Sequence, residues 1–164
     1  MSLSNRRHFL LAGGALMAGA CGFTPVYAPN GAASKLEGRV HITAPKTKNK
    51  YLVTRRLETR LGRSDPAPMT LSFSVSEGAT SLGTTATGST TRKHRTGTLN
   101  YTLKNAETGS TIDKGKVTNF TGYSLTSNTA ATLASERAAS ERLMVILADQ
   151  LIDRLHLIDP ALLP

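Results

Sequence analysis

The sequence predicts an α+β fold, a two-layer sandwich in the order β-α-β-β-β-α, with a roughly four-stranded sheet carrying two helices on one face. Three observations carry this. The run Met69-Thr70-Leu71-Ser72-Phe73-Ser74-Val75-Ser76 alternates apolar and polar without a fault, the period of a half-buried strand. Residues Leu143, Met144, Leu147, Ala148, Leu151, Ile152 and Leu155 recur at helical spacing and form a wide apolar stripe. Between the chain's first strand and Met69, Val53, Leu57 and Leu61 repeat at i, i+4, i+8, which is the core side of a shorter helix.

Taken in order, residues 1–20 contain no acid; Arg6 and Arg7 precede an apolar stretch from Phe9 to Ala18 that ends in Gly19 and Ala20. This is the pattern of a cleaved export signal, too short for the ~20 residues of a membrane-spanning helix. A buried N-terminal helix is the competing assignment, and Gly13, Gly14 and Gly19 argue against it at ~1 kcal/mol each. Ser4-Asn5-Arg6-Arg7-His8-Phe9-Leu10 resembles a twin-arginine signal, though the same arginines serve a Sec signal, and both export routes stay open.

The single cysteine, Cys21, stands directly after the small residues Ala18-Gly19-Ala20. That junction resembles the bacterial lipobox, with Ala18 where Leu is usual. The resemblance implies a diacylglyceryl group on the thiol and an acyl chain on the new N-terminus. Each buried CH₂ adds ~0.8 kcal/mol of membrane affinity, so several chains anchor stably. A buried free thiol is the alternative fate for a lone Cys. Gly22 follows, whereas Asp at that place retains enteric lipoproteins in the inner membrane, so the resemblance implies the outer membrane, on its periplasmic face. Residues 21–35, with Pro25, Pro29, Asn30, Gly31 and Ser34, read as the lipidated N-terminus and a tether.

A single domain is expected over residues 36–158. Val40, Ile42 and Ala44 alternate as a strand ended by Pro45. Tyr51 to Leu61 is the short helix, with Arg55, Arg56, Glu58 and Arg60 off its apolar side and Gly62 as its stop. The Met69 strand follows. Residues 77–98 are rich in Gly, Ser and Thr and admit two readings, an exposed strand extension or a mobile loop. Leu99, Tyr101 and Leu103 resume alternation, Asn105 to Gly109 supplies a turn, and Ile112 to Tyr123 returns as a strand. A long helix runs from about Asn128 to His156, capped by Ser127 or Asn128 and stopped before Pro160. Its first half is rich in alanine (Ala130, Ala131, Ala134, Ala138, Ala139), which suits close approach to the sheet. Residues 159–164 form a C-terminal tail.

This architecture, the segment Cys21-Gly22-Phe23-Thr24-Pro25-Val26-Tyr27 and the terminal helix with Ala148-Asp149-Gln150-Leu151 and Arg154-Leu155 together resemble the LptE family of lipopolysaccharide-assembly lipoproteins. The resemblance covers the mature chain as a pattern. It implies a non-enzymatic outer-membrane subunit, without cofactor, that plugs and helps assemble an LptD-type β-barrel translocon and binds lipopolysaccharide on its way to the surface.

Charge is consistent with an anionic ligand. The 164 residues hold 20 Lys and Arg against 11 Asp and Glu, a formal +9, and 36 Ser and Thr. Residues 35–116 alone hold 15 cations against 6 acids, whereas residues 117–164 hold 3 against 5. Arg92, Lys93 and Arg95 are the first candidates for lipopolysaccharide contact, because guanidinium and ammonium groups bind phosphates and carboxylates by charge-assisted hydrogen bonds. Lys46, Lys48 and Lys50 come second. A solvated basic surface with no specific ligand is the other reading of both clusters. Nucleic acid is a poor partner for an exported, anchored chain.

No catalytic or metal site is expected. His8, His41, His94 and His156 are dispersed, none with metal-ligand spacing, and there is neither a Gly-x-Ser-x-Gly elbow nor a P-loop lysine after Gly83–Gly88. A generic envelope lipoprotein that scaffolds another complex or contacts peptidoglycan, and an unrecognised periplasmic hydrolase, are the alternatives to the family reading.

Overall fold

The computed structural model describes residues 27, 29, 31–84 and 90–164; for residues 82–84, 90 and 91 only the backbone is described. The signal, Cys21 and the start of the tether lie outside the described residues. The elements are α1 Ala32–Leu36, β1 Val40–Ile42, α2 Lys48–Leu61, β2 Met69–Thr84, β3 Thr90–Asn105, β4 Thr111–Ser124 and α3 Thr129–His156, followed by a 3-10 turn at Pro160–Leu162. The sheet order is β1-β2-β3-β4, with β1 parallel to β2 and the other pairs antiparallel. The fold is α+β with the expected element order, to which α1 is added in front.

Local chemistry explains the boundaries. The Thr47 side chain accepts from the Lys50 N–H at 3.3 Å and starts α2 at Lys48, three residues before the start expected at Tyr51. Gly62, at φ +77°, ends it in the left-handed region that a side chain resists. Asn128 accepts the Ala131 N–H at 3.1 Å and caps α3.

Helices α2 and α3 cover one face of the sheet. Val53, Leu57, Leu61, Leu71, Leu99, Leu103, Leu143, Leu147, Leu151 and Leu155 are all buried between the layers, each such side chain contributing about 1.5–3 kcal/mol. The helices are clamped to each other by Arg56, whose guanidinium donates to both carboxylate oxygens of Asp149 at 2.7 and 3.0 Å, and by Lys48 on Glu141 at 3.1 Å. Among the described residues no helix is long and apolar enough to cross a membrane.

Three details differ from expectation. Residues 32–35, expected in the tether, join Leu36 in α1, and Ala32, Ala33 and Leu36 are buried in the core. The tail is docked too: Lys35 Nζ donates to the carbonyls of Pro160 and Leu163, at 2.7 and 3.3 Å, and Leu163 is buried. The fold thus takes in chain on both sides of 36–158. Finally, the alanine-rich start of α3 does not lie against the sheet. Ala130, Ala131, Ala134 and Ala138 are exposed and only Ala139 is buried. Close approach occurs further along, where a Cβ on Gly97 would sit 2.8 Å from Leu147 Cδ1.

Residues 77–84 and 90–98 are strand rather than loop, paired from Glu77↔Gly97 to Thr84↔Thr90. Apolar residues are sparse in them; α3 still reaches Gly97 through Leu143 and Leu147 and Arg95 through Glu136, while Thr, Ser and Gly hold the extended backbone beyond.

Candidate functional site: the open face of the sheet

Strand alternation divides the side chains of β2, β3 and β4 between two faces. Leu71, Leu99, Tyr101, Leu103, Val117 and Tyr123 point to the helices and are buried. The intervening positions make a second face that no helix among the described residues covers. It presents Thr70, Ser72, Ser74 and Ser76 from β2, Asn100, Thr98 and Thr96 from β3, and Thr118 from β4, all intermediate or exposed. Cations punctuate this hydroxyl surface: Arg92 and Lys104 on β3, Lys114 and Lys116 on β4, each exposed. The only carboxylates within the described parts of these three strands, Glu77 and Asp113, stand at helix-side positions. An anion meeting this face therefore finds ammonium, guanidinium and hydroxyl donors without a strand carboxylate among them.

His94 and Phe120 add a flat aromatic patch near Arg92. Their rings stack at 4.7 Å between centroids and 20° between planes, and Phe120 is 56% exposed. At the opposite edge His41 Nδ1 stands 3.9 Å from Asp65 Oδ1.

The basic run of β3 is divided by the same alternation. Arg92 lies on the open face and is exposed, while Lys93 lies on the helix side, half-buried, opposite Ser81 and Tyr123. Arg95 is also on the helix side and is occupied internally. It donates from Nη2 to Glu77 Oε2 and from Nη1 to Glu136 Oε1, both at 2.5 Å, and Ser140 Oγ completes the cluster by donating to the other Glu77 oxygen at 2.7 Å. The hydrogen bond to Glu77 raises the Arg95 pKa further above its ordinary value, against the opposing effect of burial. Both Nη atoms of its guanidinium are thus engaged inside the fold, unlike those of exposed Arg92.

Lys46, Lys48 and Lys50 do not join Arg92. Lys46 is exposed in the β1–α2 loop, Lys48 is paired with Glu141, and Lys50 Nζ lies 6.0 Å from the ring centre of Phe73. Phe73 is nine positions along β2 from Leu82, the partner of Arg92, or about 30 Å at ~3.3 Å per residue. The structure assembles Lys104, Lys114 and Lys116 beside the hydroxyl rows instead. Their alternation within strands was a readable signal, since Lys114, Lys116 and Thr118 are polar at a period of two.

The remaining histidine, His156, has its pKa lowered by burial, and the ring of Tyr27 meets it edge-on at 5.7 Å. Among the described residues no three His, Cys, Asp or Glu side chains are grouped so as to hold a metal ion.

Solved structures share this architecture. A chain from Caulobacter crescentus CB15, solved as a candidate lipoprotein, is 20% identical with a TM-score of 0.64, covering 76% of this chain and 92% of that one. Rare lipoprotein B from Shewanella oneidensis is 14% identical with a TM-score of 0.57, over 71% and 91%. A minor lipoprotein from Acinetobacter baumannii is 12% identical with a TM-score of 0.56, over 74% and 91%. At such identities the likeness establishes the fold alone. Among curated proteins none matches the sequence. The model of the LptE family, described as lipopolysaccharide-assembly, matches residues 38–155, from the glycine before β1 to the last buried leucine of α3, and the chain belongs to that family.

Proposed function

We propose that the protein is a non-enzymatic lipoprotein of the outer membrane, held on its periplasmic face by diacylglyceryl and N-acyl chains on Cys21. It occupies the lumen of an LptD-type β-barrel, assists that barrel's assembly and binds lipopolysaccharide in transit. The observation that carries this is the uncovered sheet face, with Arg92, Lys104, Lys114 and Lys116 set among Ser, Thr and Asn and no strand carboxylate among the described residues. Lipopolysaccharide offers phosphates and acidic sugars to such donors. A barrel lumen is polar, and rows of hydroxyls supply adaptable hydrogen bonds to it.

The experiment separates the three parts. Affinity purification from detergent-solubilised outer membrane should bring down a large β-barrel protein at constant stoichiometry; recovery of the chain without one overturns the barrel reading. Binding of purified lipopolysaccharide should weaken at least tenfold on Arg92→Ala with Lys104→Ala, two exposed positions whose loss leaves the core untouched. Unchanged binding removes the open face as the ligand surface. Mass spectrometry of the mature N-terminus should show acylated Cys21.

A further inference from the structure

The two edges of the sheet are unequal. β1 is three residues long, whereas β4 presents a long outer edge. In an antiparallel strand, the residues between those bonded to the neighbour aim their N–H and C=O outward. On β4 these are the even positions. The Phe120 N–H is taken at 2.7 Å by Asn119 Oδ1, and the Gly122 carbonyl accepts from Arg142 Nη2 at 3.4 Å. The chain's own side chains thus close that half of the edge. Lys114, Lys116 and Thr118 have no such cover among the described residues, so the other half is open.

A groove runs beside the open half. Between β4 and the end of α3 lies a depression of about 320 Å³ lined by Tyr101, Ile112, Gly115, Arg154, Leu157 and Leu162 among others. It continues past Lys116, Arg154 and Leu157 into a second of about 270 Å³ that reaches Val117, Gln150 and Asp153. Gly115 keeps it open: a Cβ there would stand 2.9 Å from the Tyr101 hydroxyl. Leu157 and Leu162 are 76% and 62% exposed at its rim, large apolar side chains left in water.

We infer that the segment 114–118 of β4 receives an added strand from an extended polypeptide with alternating acidic and apolar residues. Backbone groups of Lys114, Lys116 and Thr118 would form the ladder, the general mode of strand addition to a free edge. Side chains of the incoming strand alternate between faces. Those on the helix side enter the groove against Ile112 and Leu157; those on the open side lie beside Lys114 and Lys116. Neither lysine is in an ion pair among the described residues, and their charge selects acids on the open side of the partner, whereas the groove itself holds Arg154 together with Asp113, Asp153 and Asp159. The groove opens on the helix side of β4, away from Arg92, while Lys114 and Lys116 also belong to the face assigned to lipopolysaccharide, so the two ligands share those two cations.

The test uses the full chain in detergent and a short fluorescein-labelled peptide alternating Glu and Leu. Anisotropy should show saturable binding, and amide hydrogen exchange at Lys114, Lys116 and Thr118 should slow at least tenfold. Exchange at Val117, whose N–H already faces β3, should not change. N-methylation of alternate peptide residues should weaken binding at least tenfold, as should Leu157→Glu, which places a carboxylate in the groove at an exposed position and leaves the fold intact. Absence of binding, unchanged exchange at the three amides, or equal affinity of the N-methylated peptide overturns the inference. So does slowing of those amides by lipopolysaccharide but not by the peptide, which would make the groove a lipid site.

Discussion

Arg95 and Glu136 join the far end of the sheet to the terminal helix, with a guanidinium nitrogen 2.5 Å from a carboxylate oxygen. Glu77, two positions beyond Val75 on β2, holds the other side of the same guanidinium. The three charges sit where the apolar core ends, in the N-terminal third of α3 just before its first buried residue, Ala139.

Replacing Arg95 by Ala should therefore destabilise the fold. The Arg95 side chain is 18% exposed and that of Glu77 11%, so removal leaves two carboxylates facing each other with little water. Loss of one partner from a buried pair costs about 3–5 kcal/mol, and the 36% exposure of Glu136 lowers this to about 2–4 kcal/mol. Urea denaturation measures it. The double change Arg95→Met with Glu77→Leu should recover most of the loss, since apolar replacements of buried ions are often neutral. Equal destabilisation by single and double variants would show that the ion cluster is not the cause.

The limits of sequence reading show clearly at these residues. Alternation at Met69–Val75 and the stripe from Leu143 to Leu155 were legible because each element has one dry face. Arg95 was grouped with Arg92 and Lys93 because nothing local distinguishes a cation that meets Glu136 from one that meets solvent; the partners are 41 and 18 positions away. Under the strand reading of residues 77–98, one of the two that the sequence admits, alternation separates Arg92 from Lys93 and Arg95. Helix α1 was hidden by its length, five residues beside Pro29 and Gly31, and is held by tertiary burial of Leu36 rather than by propensity. The alanines of α3 promised close packing, but their helix runs on past the core.

At Gly97 the sheet and α3 are in near contact, and an added methyl should be felt. A Cβ there would stand 2.8 Å from Leu147 Cδ1 and 3.0 Å from Leu143 Cδ2. Gly97→Ala should cost about 1–3 kcal/mol through overpacking, and Gly97→Val more. Leu147→Val in the Gly97→Ala background should cost less than in the wild type, because the smaller side chain yields the space; a double-mutant cycle reads the difference. Additive losses would place the strain elsewhere.

Tyr101 gives the fold a dependence on high pH. Burial first, then the hydrogen bond from its hydroxyl to Asp113 at 2.9 Å, push its pKa up to about 12. The folded value lies above the unfolded value of about 10. Its contribution is therefore complete below about pH 10 and is lost as pH rises through about 12, a change of about 2–3 kcal/mol. Denaturation midpoints measured between neutral pH and pH 12 should fall over that window. In Tyr101→Phe this component of the fall should vanish, while stability at neutral pH drops by about 1 kcal/mol for the lost hydrogen bond. An unaltered pH profile in the variant would assign the alkaline loss to other groups.

The two halves of α3 should differ in stability within one continuous helix. From Thr129 to Ala138 no residue is buried, and Leu133 is 44% exposed; from Ala139 onward Leu143, Leu147, Leu151 and Leu155 are fully buried. The first half is about 15 Å of helix at 1.5 Å per residue, kept by alanine's propensity, the Asn128 cap and the Glu136–Arg95 bond rather than by packing. Leu133→Ala should change stability by less than about 0.5 kcal/mol, whereas Leu147→Ala should cost about 2–5 kcal/mol. Amide exchange in residues 133–138 should report local opening well below the global unfolding free energy, and residues 147–155 should exchange only with global unfolding. Arg95→Ala should accelerate the first group more than its global destabilisation accounts for, because it removes the one ion pair that holds those turns to the sheet among the described residues. Equal protection along the whole helix would mean that α3 opens as a single unit and that the cluster at Arg95 contributes to the global fold alone.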